Sequence, residues 1–298
     1  MAGFTHLGPR GKGVVVGSCC VSRFANGELY VTVDSEAEAR RCLLVGSVAP
    51  PDEQLLALTL ASHTLAGQGA SSVVAVLPYL GYARQDRPEP GRSLAAAWVG
   101  ALLRAAGIAA VVTVDVHSSE AARLFPMPVT SLSPAPLFAP EVVRSGLDEL
   151  CVVAPDEGAI ERCEALRSAA GITSPVAWLA KRRTREGLVH LPLTGKLSRR
   201  AVVVDDILDT GATLVSCCRI LREAGVEEIT ILVTHGLFSG EGWQEIWAAG
   251  AHRILTTDTV PGDPPADPRI AVLPARALFD RWVARGGGDQ RSGGSVVS

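Results

Sequence analysis

The sequence predicts an α/β protein of two similarly built domains, each a mainly parallel sheet flanked by helices. Apolar, β-branched runs alternate along the chain with amphipathic helical stretches, the pattern of strands joined by helical crossovers. The rhythm runs through twice, with a break near Pro134-Ala135-Pro136. The length of 298 residues matches about two ordinary domains.

Val73 to Pro78, Val111 to Val116, Cys151 to Ala154, Ala201 to Val204 and Ile229 to Thr234 read as buried strands. Leu55 to Ala66, Ser93 to Ala106, Ile160 to Ala170 and Leu214 to Ala224 read as helices. Gly107, Gly171 and Gly225 follow three of them as C-terminal stops. Pro261 to Pro268 holds four prolines and reads as a loop. The domains are placed at 1–136 and 137–285, and the Gly/Ser-rich stretch 286–298 reads as a disordered tail.

With 47% hydrophobic and 20% charged residues the chain can build a substantial core. A net charge of −3 leaves no electrostatic footprint for nucleic acid. No long uncharged apolar run marks a membrane span, and the first residues lack an apolar signal core, so a cytoplasmic protein is expected. The seven cysteines, with vicinal pairs Cys19-Cys20 and Cys217-Cys218, lack C-x-x-C spacing and read as buried apolar thiols.

The most informative segment runs from Val202 to Leu214. Three valines lead into Asp205-Asp206, followed by Asp209-Thr210-Gly211-Ala212-Thr213 and a helix start. Carboxylates accept hydrogen bonds from sugar hydroxyls, and bare N–H groups at a helix N-terminus receive a phosphate. In an open α/β sheet such a strand end is a ligand edge. The segment therefore points to a phosphorylated ribose, and it is the signature of proteins that handle 5-phosphoribosyl 1-pyrophosphate (PRPP). Alone it does not separate an enzyme that makes PRPP from a phosphoribosyltransferase that uses it.

Five further stretches carry charge or special geometry. They are Ser22-Arg23-Phe24-Ala25-Asn26-Gly27-Glu28, Pro78 to Arg87 with Arg84-Gln85-Asp86, and Val114-Asp115-Val116-His117-Ser118. Then come Ala154-Pro155-Asp156-Glu157-Gly158-Ala159 and Lys181-Arg182-Arg183. Read singly, each is also compatible with a turn, a solvated edge or a structural histidine.

Taken in order, the six stretches resemble the ribose-phosphate pyrophosphokinase (PRPP synthetase) family over about residues 22 to 280. The resemblance implies two stacked phosphoribosyltransferase-like (Rossmann-like) domains, residues 1–136 on the ATP side and 137–285 on the ribose 5-phosphate side. It implies an ATP site of Arg84, Gln85, Asp86 and His117, with Phe24, Asn26 and Glu28 supplied by a neighbouring subunit of a homo-oligomer. Asp205, Asp206, Asp209, Thr210, Gly211, Ala212 and Thr213 would hold ribose 5-phosphate. His117 and Asp156 would contact Mg2+. Lys181 and Arg183, on a mobile flap, would be catalytic together with His117. The net charge and the hydropathy pattern lead to the expectation of no nucleic-acid or membrane partner.

Ala159 stands where a second Gly is commoner, and the N-terminal segment around Gly17-Ser18-Cys19-Cys20 is short. These departures suggest a shorter, less regulated branch. The competing readings are a phosphoribosyltransferase using PRPP, against which the Arg84 and Lys181 loops speak, and a non-catalytic synthetase-associated protein.

Overall fold

The computed structural model describes residues 3–7, 14–34, 37–184 and 187–287; along 3–16 and 180–193 it describes the backbone alone. The chain divides into two compact units: one runs to Leu132 and takes in the residues from Arg281 on, and the other is Ser133–Asp280.

The first unit carries β1 (Gly3–Leu7), β2 (Val14–Arg23), β3 (Leu29–Asp34), β4 (Arg41–Val45), α1 (Glu53–Gly67), β5 (Ser72–Leu77), α2 (Ala95–Ala105), β6 (Ile108–Val114), α3 (Ser119–Arg123) and β7 (Val129–Leu132). Its sheet has the order β3-β2-β1-β4-β5-β6-β7. β4 to β7 are parallel, whereas β1 is antiparallel to both its neighbours and β3 is antiparallel to β2.

The second unit carries α4 (Ala135–Arg144), β8 (Leu150–Ala154), α5 (Ile160–Ala170), β9 (Ala177–Thr184), β10 (Gly187–Thr194), β11 (Arg200–Leu208), α6 (Ala212–Glu223), β12 (Glu228–Gly236), α7 (Glu245–Ala248), β13 (Ala251–Thr257) and β14 (Ile270–Leu273). The order β10-β9-β8-β11-β12-β13-β14 repeats that of the first sheet, strand for strand. Only β9–β10 is antiparallel here. The two sheets therefore differ by the reversal of one strand, β1 against β8.

The apolar runs form strands because helices cover both faces. In β11, Ala201 and Val203 join the core on one face, and Val202 and Val204 join the core on the other. A strand buried on both sides needs apolar residues throughout, and each valine so buried contributes about 1.5–3 kcal/mol. Gly107, Gly171 and Gly225 have φ of +89°, +70° and +90°, the left-handed turn that lets a chain leave a helix.

Three features depart from the sequence reading. The division falls before Ser133 because Phe138 and Val142 of α4 pack into the core of the second unit. β11 continues through Asp205 and Asp206 to Leu208, since its ladder with β12 runs on to Leu208 opposite Gly236. Lys181 to Arg183 lie on the strand β9 of a β-hairpin rather than on a loop. Six cysteines are buried as expected, but Cys20 is exposed, and none of the seven forms a disulfide. Burial pushes the Cys19 thiol up to about 11 and that of Cys218 up to about 12. The tail beyond residue 287 lies outside the described residues. Among the described residues no helix is long and apolar enough to cross a membrane.

Candidate active site

In the first unit the chain leaves β5 at Leu77 and turns sharply. A Cβ on Gly81 would stand 2.6 Å from the Val48 carbonyl oxygen, so only glycine lets the turn pass there. Tyr82 follows with φ +65°, and its hydroxyl donates to Asp52. Gln85 is held twice: its carbonyl accepts from Ala96 N at 3.3 Å, and its side chain accepts from the Ser93 hydroxyl.

Asp86 is the link to the next motif. It accepts from Ser118 Oγ, the same hydroxyl that caps α3 by accepting from Ala121 N at 3.0 Å. The turn before it is fixed by Asp115, whose φ is +45° and whose N–H reaches Leu132 O at 3.0 Å, and by Val116 N on Ser131 Oγ at 2.9 Å. Asp86 of the Arg84-Gln85-Asp86 loop is thus docked on Ser118, the neighbour of half-buried His117, across 32 residues of sequence.

Phe24, Asn26 and Glu28 sit apart, at the tip of the β2–β3 hairpin. Backbone bonds between Phe24 and Glu28 (2.9 Å) and from Gly27 to Phe24 (2.9 Å) close the tip, and Asn26 Oδ1 accepts from Glu28 N at 3.1 Å. Phe24 is 56% exposed and rests one face on Tyr30 at 4.6 Å between ring centres. Arg23, paired with Leu29 just below the tip, pairs through its side chain with Glu53, next to the Asp52 that holds Tyr82. The start of α1 thus spaces the hairpin from the Arg84 loop.

In the second unit the end of β11 gathers the acidic groups. Asp206 is 5% exposed, and its N–H donates to Asp205 Oδ1 at 2.9 Å. Arg162 of α5, with 11% of its side chain exposed, brings Nη1 to 3.8 Å from Asp205 and 3.7 Å from Asp206. Burial, then the adjacent negative charge of Asp206, push the Asp205 carboxyl well above the usual range; Arg162 opposes this and Asp156 adds to it. Asp156 stands at the end of β8, before a single 3-10 turn, Glu157–Ala159, that leads into α5.

The loop Asp209 to Thr213 follows at once. Gly211 has φ +85°, and a Cβ there would lie 2.6 Å from the Cα of Trp243. Leu237 and Phe238 donate to Leu208 O at 2.8 and 3.0 Å, and Ser239 N donates to Asp209 O at 3.2 Å. The loop therefore opens on the N-terminus of α6 and is backed by the 237–243 segment. It forms a cup of backbone amides with the helix dipole behind it, the chemistry that receives a phosphate.

Lys181 and Arg183 pair in register with His190 and Leu188, and their side chains lie outside the described residues. Sequence reasoning missed Arg162 and Trp243. Arg162 carries a local signal, a cation four residues after Gly158 whose Nη1 donates to the Gly158 carbonyl at 3.4 Å. Trp243 carries none beyond the glycines around it.

Among the described residues no group of three His, Cys, Asp or Glu could hold a metal unaided. Mg2+ takes one or two protein carboxylates and completes its shell with phosphate oxygens and water. Asp206 is buried and Asp205 and Asp156 are partly buried, and among the described ion pairs the cation facing Asp205 and Asp206 is Arg162, a set of carboxylates that also suits a cation.

Residues 9–107 match the model of the N-terminal domain of ribose phosphate pyrophosphokinase, and residues 185–266 match that of the phosphoribosyl synthetase-associated domain. A ribose-phosphate pyrophosphokinase of Burkholderia pseudomallei is 30% identical over 293 residues, 96% of this chain and 90% of its own length. One from Thermotoga maritima is 33% identical over 82% of this chain and 79% of its own. The crystal structure of phosphoribosylpyrophosphate synthetase from Mycobacterium smegmatis superposes with a TM-score of 0.79 at 28% identity, covering 92% of each chain.

Proposed function

Given that this chain belongs to the ribose-phosphate pyrophosphokinase family, we propose that it transfers the β,γ-diphosphoryl group of ATP to ribose 5-phosphate, giving PRPP and AMP. The 1-hydroxyl oxygen of the sugar attacks the β-phosphorus and loses its proton. The bond from the β-phosphorus to the bridging oxygen breaks, and that oxygen leaves with AMP.

The observation that carries this reading is the second site. A phosphoribosyltransferase needs the acidic strand end and amide cup of the second unit, but not the Arg84-Gln85-Asp86 loop docked on the His117 turn of the first. Asp205 and Asp206 accept from the ribose hydroxyls, and Asp209, Thr210, Gly211, Ala212 and Thr213 hold the 5-phosphate. Arg84, Gln85, Asp86 and His117 hold the triphosphate side of ATP. Phe24, Asn26 and Glu28, at the exposed hairpin tip, supply a stacking face and base-edge contacts to ATP on a neighbouring subunit, which makes the protein a homo-oligomer. Lys181 and Arg183 neutralise charge on the transferring group, and His117 is the catalytic contact supplied by the first unit. Positioning and charge neutralisation then supply most of the rate. His117 and Asp156 would hold Mg2+, which supplies further neutralisation of the phosphate charge.

Purified protein with Mg2+, ATP and ribose 5-phosphate should yield AMP and PRPP in equal amounts. ADP in place of AMP would defeat the diphosphoryl transfer, and no nucleotide product at all would defeat the enzyme.

A further inference from the structure

Two serines outside the proposed nucleotide contacts hold the Arg84-Gln85-Asp86 loop from two sides. Ser93, just before α2, donates to Gln85 Oε1 at 2.5 Å. Ser118, the N-cap of α3, donates to Asp86 Oδ2. The side chains of two consecutive residues are thereby fastened to the starts of two different helices.

Each bond decides what its partner has left to offer. A serine hydroxyl carries one proton. That of Ser93 goes to the amide oxygen of Gln85, and the amide then offers its NH2, a donor. The Gln85 main-chain carbonyl is committed in the same direction, accepting from Ala96 N at 3.3 Å. The Ser118 oxygen already accepts from Ala121 N at 3.0 Å, so its proton serves Asp86. One oxygen of Asp86 is drawn to the half-buried start of α3, and the other is left to accept. Ser93 and Gln85 are both exposed. Water offers such groups equivalent bonds in the unfolded chain, so their pairing adds little to stability. Its effect is orientation.

We infer that Ser93 and Ser118 are positioning residues for ATP: they set the polarity of the loop, so that Gln85 presents its NH2 to the phosphates and Asp86 is restrained to a single free acceptor oxygen. The inference rests on the assignment of the Arg84-Gln85-Asp86 loop to ATP made above. The two ends of an amide are opposite in sign. An oxygen turned towards a triphosphate meets its lone pairs, whereas the NH2 donates to them, and a bond to a charged oxygen is the stronger kind. A carboxylate free to swing would repel the same phosphates. Ser93 removes the first mismatch and Ser118 the second.

ATP with Mg2+ is titrated calorimetrically into the full chain in the absence of ribose 5-phosphate. Ser93→Ala and Ser118→Ala are each expected to weaken binding roughly threefold to tenfold, and Ser93→Thr and Ser118→Thr to restore it. In a Gln85→Ala background Ser93→Ala should have no further effect, and in an Asp86→Ala background neither should Ser118→Ala. Gln85→Glu keeps the shape and the acceptor for Ser93 but turns an oxygen outward, so it should bind ATP more weakly than Gln85→Ala. Ser118→Ala also removes the cap of α3 and should lower Tm; the cycle with Asp86 separates that loss from lost orientation. Parent affinity in either serine-to-alanine variant would overturn the inference. So would effects that persist in full once Gln85 and Asp86 are truncated, or tighter binding by Gln85→Glu than by Gln85→Ala. With no acceptor sugar present, these outcomes stand whether or not AMP and PRPP are made.

Discussion

Arg162 is the residue on which the acidic strand end depends. It is the only cation within 4 Å of Asp205 and Asp206 among the described ion pairs. Removing one partner of a buried charge cluster costs about 3–5 kcal/mol, and it also leaves the proposed acceptors for the sugar unoriented. Arg162→Gln should therefore raise KM for ribose 5-phosphate by roughly tenfold to a hundredfold with a smaller change in kcat. Arg162→Lys should recover only part of it, because a point charge does not reproduce the guanidinium fork. An unchanged KM in Arg162→Gln would remove the residue from sugar binding. Asp205 makes a second test. Its pKa is raised in the folded protein, so the native state holds the proton more tightly than the unfolded chain. Stability is then lost as pH rises from the ordinary carboxylate range through the raised value, and the loss is complete above it. Asp205→Asn should stabilise the ligand-free protein at pH 8 by on the order of 1 kcal/mol, with the advantage vanishing as the pH falls below the usual carboxylate range. Parallel Tm-against-pH curves for the two proteins would refute this.

At the scale of elements, the amide cup is a strand, a glycine and a helix held by a second loop. Gly211 combines φ +85° with a Cβ position 2.6 Å from the Trp243 Cα. Gly211→Ala should cost roughly 3 kcal/mol through left-handed strain and displaced backbone, and should weaken binding of inorganic phosphate; denaturant melts and phosphate titration would show it. A variant as stable as the parent would mean the loop is looser than described. Much of this element was legible in sequence, because a valine run, paired acids and Asp209-Thr210-Gly211-Ala212-Thr213 are all local. The extension of β11 to Leu208 was not. Polar residues at 205 and 206 look like a loop until β12 is known to pair alongside as far as Gly236. Arg162 and Trp243 were missed because their roles are contacts across 43 and 32 residues, to Asp205 and Gly211; the spacing of Arg162 from Gly158 is local but does not reveal the acidic partners. The docking of Asp86 on Ser118 is likewise long-range, although both flanking motifs were visible.

For the whole molecule, the repeated strand order bears out the reading of two halves of one design, with the reversal of β1 as the change no periodicity could reveal. The proposed sharing of the adenine pocket is tested at this scale. A chain altered at Phe24→Ala and Glu28→Ala is defective in what it lends to its neighbour. A chain carrying Lys181→Ala is defective in its own site. Co-expressed, the two should recover roughly a quarter of the parent activity in a reciprocally shared dimer, since mixed pairs regenerate one intact site. No recovery would show that each subunit builds its own pocket.

The hairpin that carries Lys181 and Arg183 is joined to its sheet by only two registered pairs, Val153 with Ala177 and Ala154 with Trp178, whereas its own strands are paired along most of their length. At its root Gly195, with φ +109°, passes so close that a Cβ would lie 2.9 Å from the Ala177 Cα. Mechanically this is a stiff paddle on a short axle. If the proposed flap swings over a substrate, it would reorient one pre-formed ribbon and leave its internal pairing intact, so closure would forfeit far less chain entropy than the ordering of a slack loop of equal length, at about 1–2 kcal/mol per residue fixed. The speed of turnover would then be governed by the stiffness of the axle around Ala177 and Gly195, which are outside the proposed substrate contacts.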